Sequence, residues 1–536
     1  MHDKASKAIA SEANASKAIT SEAITIKANA SLMKIAKGAG IAYVSNMLIM
    51  FLGFVSGVII VRSITQFEYG IYSIAMTVIG IFSLIASMGL GDGLTRYIAY
   101  FRGTGEISKA KSAIISSLQI AVLSGAVFMI ISIYTSPVIS IGIFGKSELL
   151  VPLKLLAISI PFSVLIDIYN AVFKGFNRVL PGAYFSISRA LIFILAIAAC
   201  ALSGPSLDGM ILAYILAIVI TCIAFTVYTK VKFPFDLSPR EAVTINPLCT
   251  ELLSFSVPLL AVNMLIMVLL WTDTLMIGYF KTPELVGLYS IAPPLASLNI
   301  LFLTSLGTLY TPIAARLYGA GKLEEMKNSY AISTKWCFIV SFPLIVTFLL
   351  YPDAILNFLY GAKYTAASGA LQILTLGILF NSATGPNSQT LIAIGRSNVI
   401  IRAYFISSAI NVALNILLIP RIGIIGAAIA TALSIAIANL VLSAELYKCS
   451  GAHPITPVYI KSIILSVIVA SPIYIISISP IGDSIWAAIV SFALAVLVYA
   501  ILILATKTFD DEDIMIIRAI RNSMTGLGTG IKCTEA

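Results

Sequence analysis

Residues 70–75 read GIYSIA and residues 287–292 read GLYSIA, 217 positions apart. The same separation carries Asn46 onto Asn263 and Gly209 onto Gly426. A separation of 220 carries Gly175 onto Gly395 and the AYF at 183–185 onto the AYF at 403–405. One hexapeptide can match by chance, but several matches at nearly one spacing argue for a duplicated unit. What each copy contains therefore decides the fold.

Each copy is greasy. The 536 residues have a mean hydropathy of +1.00, with 59% apolar and only 11% charged residues. Soluble domains carry about 25% charged residues, and a chain this apolar would expose too much hydrocarbon to water. Stretches of about 20 apolar residues, long enough to cross roughly 30 Å of lipid, occur fourteen times. In chain order they are α1 to α14: 38–60, 71–91, 112–136, 149–171, 183–203, 207–229, 251–279, 286–315, 331–351, 368–393, 400–419, 424–447, 457–478 and 482–506. The matches fall in α1–α6 and α7–α12, so each copy is six spans. An even number of spans gives both copies the same orientation, related by an axis along the membrane normal. The expected fold is all-α: a polytopic membrane protein of about fourteen transmembrane helices, with two parallel six-helix lobes (38–229 and 251–447), a polar linker at 230–250, and two further helices within 457–506.

The composition also excludes. Six cysteines are scattered without a CxxC pair, and the two histidines, His2 and His453, sit in polar segments. No zinc site, disulfide framework or Ser-His-Asp centre can be assembled from them. No P-loop or dinucleotide motif occurs, so no enzyme and no resident cofactor is expected.

Lysines and arginines between the spans divide 25 to 5 between alternate sides. The richer side should be cytoplasmic, which places both termini inside. That asymmetry and contact with anionic lipid account for the net charge of +10 without nucleic acid. Residues 1–37 form a low-complexity cytoplasmic tail in which ASKAIASEA (5–13) repeats as ASKAITSEA (15–23). Ten residues turn a helix by about 1000°, so the repeat builds no single apolar stripe. In the 507–536 tail, TFDDEDIMIIRAIRNS (508–523) reads as a short interfacial helix capped by Thr508, with acids in its first turn and Arg518 and Arg521 in its last.

Three stretches carry a family likeness: VIIVRSITQFEYGIYSIAMTVIGIFSLIASMGLGDGLTRYIAYFRGTGE (58–106), SVPLL followed by TDTLMIGYF and VGLYSIA (256–292), and LQILTLGILFNSATGPNSQTLIAIGRSN with NVALNILLIPRIGIIGAAIAT (371–431). They resemble the polysaccharide-exporter branch of the MOP flippase superfamily. The resemblance spans nearly all of 38–447 and implies transfer of an isoprenoid-linked oligosaccharide across the cytoplasmic membrane of a prokaryote. Membrane lipids and glycan-assembly enzymes are the implied partners. Two other classes stay open, a MATE-like cation-coupled exporter of small molecules and a non-transporting scaffold for glycan assembly.

Such a substrate carries phosphate or pyrophosphate, which guanidinium binds bidentately. The candidates are Arg62, Arg96, Arg189, Arg316 and Arg402. Arg189 lies deepest, about 9 Å inside α5 at 1.5 Å per residue. The others sit at span ends, where an arginine also serves as an interfacial anchor. Asn46 and Asn263, equivalent residues of α1 and α7, are candidates for sugar hydroxyls. Pro258 and the GPNSQ at 385–389 are candidate bending points.

Residues 266–280, IMVLLWTDTLMIGYF, hold one acid in an apolar run. A mid-bilayer carboxylate costs about 2.5–3.5 kcal/mol and needs a partner or water. Asp273 shares its depth with Asn411 and Asn415, which face one way on α11, and with Thr431 on α12. Hard oxygens around one negative charge suit Na⁺ better than a divalent ion, and the set is similar to a sodium site among lipid II flippases. It departs by placing asparagine at 415, where an acid can occur. H⁺ as the coupling ion is the alternative, and a packing role, bonded to Trp271, Thr272, Thr274 or a neighbouring helix, the plainer one. Asp92 and Asp167, near span ends, look remote from any substrate cavity. A MATE-like exporter would need acids there.

Overall fold

The computed structural model describes residues 44–232, 247–479, 482 and 484–506. The 1–37 tail with its repeat, residues 233–246 of the linker and the 508–523 segment lie outside the described residues. The described residues are 91% helical, with no strand among them. Among the described residues twelve helices are long and apolar enough to cross a membrane, or thirteen if the bent pair Ser147–Ala157 and Ser159–Gly175 (42°), which is α4, counts as one span.

This count differs from fourteen at Ser397–Ser450, a continuous assignment of 54 residues. A straight helix of that length would measure about 81 Å, far more than a bilayer. Gly423 breaks it at φ 59°, ψ −132°, a conformation that glycine adopts freely. The two arms, α11 and α12, then run back along each other. Ser407 Oγ donates to the Ser434 carbonyl at 2.6 Å and Asn411 Nδ2 to Thr431 Oγ1 at 3.1 Å. Gly426 packs directly on Leu418.

Other breaks are equally local. α2 starts at Thr65, whose hydroxyl accepts from the Glu68 N–H at 3.2 Å while Glu68 Oε2 accepts from the Thr65 N–H at 2.8 Å. This reciprocal box satisfies two orphan donors. α2 runs Gln66–Ser87, turns through left-handed Met88 and Gly89, and resumes as Leu90–Gly103, a turn and more beyond its expected end. α10 breaks at Gly385 and Pro386, as the GPNSQ stretch suggests. Pro258 is a correction, because α7 is one helix, Pro247–Phe280, that passes through it. The lost hydrogen bond at a proline is tolerated where neighbouring helices hold the backbone.

α2 and α8 cross where the duplicated hexapeptides lie. A methyl on Gly70 would overlap the Pro283 carbonyl, and one on Gly287 would overlap the Gln66 carbonyl. The two copies of GxYSIA thus meet back to back through their glycines. Around them the N-terminal half grips carbonyls of the C-terminal half. Arg62 donates to the Phe358 carbonyl and to the Leu359 carbonyl (2.8 Å), Gln66 to the Lys363 carbonyl (2.6 Å) and Lys146 to the Gly278 carbonyl. Partial burial draws the Lys146 ammonium below its usual pKa, opposed by Glu148 and Glu284.

At the opposite end the second part of α2 packs on α7. Gly89 and Gly93 lie against Ser256, the Tyr97 hydroxyl donates to Glu251 at 3.1 Å, and the Arg96 guanidinium stands 4.1 Å above the Phe255 ring. The two halves therefore touch at both ends. α13 (Pro457–Ser477) and α14 (Ile485–Ala505) pack on α9 through Phe338–Tyr459 and Phe342–Tyr499. The Tyr351 hydroxyl joins them, 2.7 Å from Ser491 Oγ and 3.2 Å from the Ile473 carbonyl.

Candidate functional site

Asp273 is 3% exposed, and its partners come from three other helices. Asn415 Nδ2 donates to Oδ1 at 2.7 Å, Thr431 Oγ1 donates to Oδ2 at 2.5 Å, and the Tyr289 hydroxyl donates to the same Oδ2. Asn411 links the set, accepting from Asn415 Nδ2 on its Oδ1 (3.1 Å) while its own Nδ2 donates to Thr431. Asn411 and Asn415 are fully buried. The four residues predicted to share a depth thus form one cluster. Neither Trp271 nor Thr272 nor Thr274 is a partner, and Trp271 instead packs on Gly80 of α2.

Two features give the cluster a chemistry beyond packing. All its donors are neutral, so the carboxylate has no countercharge, a costly state inside a membrane. Asn415 Oδ1 is buried with no hydrogen-bond partner, and such an orphan usually marks a missing ligand or water. With Asp273, Asn411 and Thr431 it supplies hard oxygens around a single negative charge. This donor set fits a monovalent cation or a proton. Among the described residues no group of three His, Cys, Asp or Glu side chains exists to hold a metal of higher charge. Amide oxygen and nitrogen are interchangeable by a flip, so turning the Asn415 amide would swap its donor for the orphaned acceptor.

Tyr289 was missed by sequence reasoning, although it is the tyrosine of GLYSIA. The motif signals only the duplication, and Tyr289 follows Asp273 by sixteen residues on a different helix.

The arginines do not converge. Arg62 and Arg96 lie at opposite ends of the contact between the halves, as above. Arg402 Nε reaches only the Asn398 carbonyl, at 3.4 Å, and Arg316 is exposed on α8. Arg96 forms no ion pair with Asp92. Asn46 and Asn263 both line a cavity of about 410 Å³ between α1, α2, α4, α5 and α7. Asp92, Asp167 and Lys174 line the same cavity. The expectation that the two acids stand apart is therefore corrected. Arg189 lines an adjoining cavity of about 300 Å³.

Comparison with known proteins gives a consistent placement. The chain matches the family described as polysaccharide biosynthesis proteins over residues 35–318, and the MatE family over 258–417. An uncharacterized membrane protein of Methanocaldococcus jannaschii is 24% identical over 74% of this chain and 81% of its own. A protein of Haloferax volcanii named as a probable low-salt glycan biosynthesis flippase is 30% identical over 33% of this chain and 37% of its own. Among solved structures, the lipid II flippase MurJ in an inward closed conformation superposes with a TM-score of 0.68 at 18% identity, covering 86% of this chain and 97% of that one. At that identity the likeness speaks for the fold.

Proposed function

This chain belongs to the polysaccharide biosynthesis protein family, within the MOP flippase superfamily, and from that premise we propose that it moves an isoprenoid-(pyro)phosphate-linked oligosaccharide across the cytoplasmic membrane by alternating access. The observation that carries this reading is the cavity lined by Asn46 from the first half and Asn263 from the second. A polar chamber at the junction of two halves is where a substrate path belongs in a parallel-repeat transporter. Contacts at both ends of that junction, around Gly70–Gly287 and around Tyr97–Glu251, supply the gates that would alternate. In this orientation both termini are cytoplasmic, and the Gly70–Gly287 contact is the outer gate.

Asp273, Asn411, Asn415 and Thr431 serve as the coupling site for Na⁺ or H⁺. A ligand shifts a conformational equilibrium only by its differential affinity for the two states. Tyr289 supplies the means: it bonds Asp273 two residues after Gly287, the glycine of the outer gate. Occupancy of the carboxylate is thereby felt at the α2–α8 crossing.

A second reading is export of small cations. The MatE match over 258–417 favours it, as do Asp92 and Asp167 in the cavity. Lipid extraction from a deletion strain separates the two. Accumulation of a lipid-linked oligosaccharide on the cytoplasmic side is the expected result. No such accumulation, with sensitivity to cationic dyes, would favour export instead.

A further inference from the structure

The separation of 217 that relates the two halves can be applied to the carboxylate cluster itself. It carries Asp273 onto Ser56, Tyr289 onto Tyr72 and Thr431 onto Tyr214. All three counterparts line a single cavity, the one of about 300 Å³ that also contains Arg189. Asn411 and Asn415 fall on Ile194 and Ala198, which do not line it, so the duplication has kept part of the cluster's position and inverted its charge. The C-terminal half has a carboxylate among neutral donors, and the N-terminal half has a guanidinium with a serine where the carboxylate would be.

The donors of this second cavity are unspent. Arg189 makes no hydrogen bond and no ion pair with any described residue. The Tyr72 and Tyr214 hydroxyls are likewise unbonded to described protein groups, whereas Ser56 Oγ donates to the Leu52 carbonyl at 2.8 Å. No carboxylate lines this cavity. Asp167 influences Arg189 through space, but it lies on the wall of the adjoining chamber and outside ion-pair distance. An unpaired guanidinium and two free phenols in a membrane-embedded chamber call for an anion with several acceptor oxygens. Bidentate oxygens are what a guanidinium fork matches best. Ile49 and Ser186 line both cavities, so the chamber adjoins the one between the halves.

We infer that Arg189, Tyr72 and Tyr214 form a phosphoryl-binding site in the N-terminal half, the charge-reversed counterpart of the Asp273 cluster. This deepens the proposed function and rests on it for the source of the phosphoryl group, which is the phosphate of a lipid-linked substrate. A free phosphate offers the same chemistry.

The test is thermal unfolding of the purified full chain in detergent, titrated separately with inorganic phosphate and with farnesyl phosphate, at constant ionic strength set by chloride. Farnesyl phosphate should raise the midpoint in a saturable way. Arg189→Gln should weaken its binding tenfold or more, Arg189→Lys less, and Tyr214→Phe severalfold. Tyr214→Phe keeps the test open should Arg189→Gln fail to fold. A response to inorganic phosphate as strong as to farnesyl phosphate would support the phosphoryl chemistry and assign the source to free phosphate. No response to either, or wild-type affinity in both Arg189→Gln and Tyr214→Phe, overturns the site. Arg189-dependent binding in a protein that moves no lipid-linked oligosaccharide would retain the site and refute the transport reading. Transport that persists with phosphoryl affinity indifferent to Arg189 would do the reverse.

Discussion

The Tyr289 hydroxyl donates to the Asp273 carboxylate deep inside the C-terminal half, and two residues before it Gly287 presses against the backbone of Gln66 in the other half. One short stretch of α8 therefore touches both the buried charge and the contact between the halves.

Asp273→Asn should insert and fold, since the amide keeps the volume and most hydrogen bonds, but lose the ion dependence of transport. Asn411→Ala and Thr431→Val should weaken that dependence less, each removing one neutral oxygen. Transport in purified vesicles, with Na⁺ and pH varied independently, decides. An Asp273→Asn protein with the wild-type response to both ions would leave Asp273 with a packing role. Loss of the pH response alone would name H⁺ as the coupling ion.

Tyr289→Phe removes a donor that competes with a cation for Oδ2. A hydrogen bond to a charged group is worth about 1.5–3 kcal/mol net, so the cation concentration for half-maximal transport should fall roughly tenfold or more. An unchanged or higher half-saturation would show that the hydroxyl does not compete at the site.

Gly70→Ala places a methyl on the Pro283 carbonyl. Overpacking costs about 1–3 kcal/mol, and here only the state with α2 against α8 bears that cost. The outer gate should open more often. A cysteine introduced at Asn263 in a chain lacking its native cysteines should react with an impermeant maleimide from outside at least fivefold faster. Equal rates in both backgrounds would mean that the contact is not a gate.

The 25-to-5 division of cationic residues predicts orientation. A reporter fused after Lys232 should be cytoplasmic and one fused after Lys363 outside. The reverse result for either would overturn the span order.

The sequence by itself determined the membrane class, the duplication and the depth of the buried polar groups. Depth is legible because a helix rises a constant 1.5 Å per residue, so Asp273, Asn411, Asn415 and Thr431 could be placed at one level by counting. Tertiary structure decided everything that depends on azimuth and on breaks inside apolar runs. Hydropathy carries no signal for which side of a span faces a neighbour, so the bond from Tyr289, the inward Asp92 and Asp167 and the scattering of the arginines appear only once the helices are packed. The turn at Met88 was hidden for the same reason, because apolar composition continues across it and only its left-handed backbone shows where the chain changes direction, whereas the break at Gly423 falls in the gap the sequence leaves between α11 and α12.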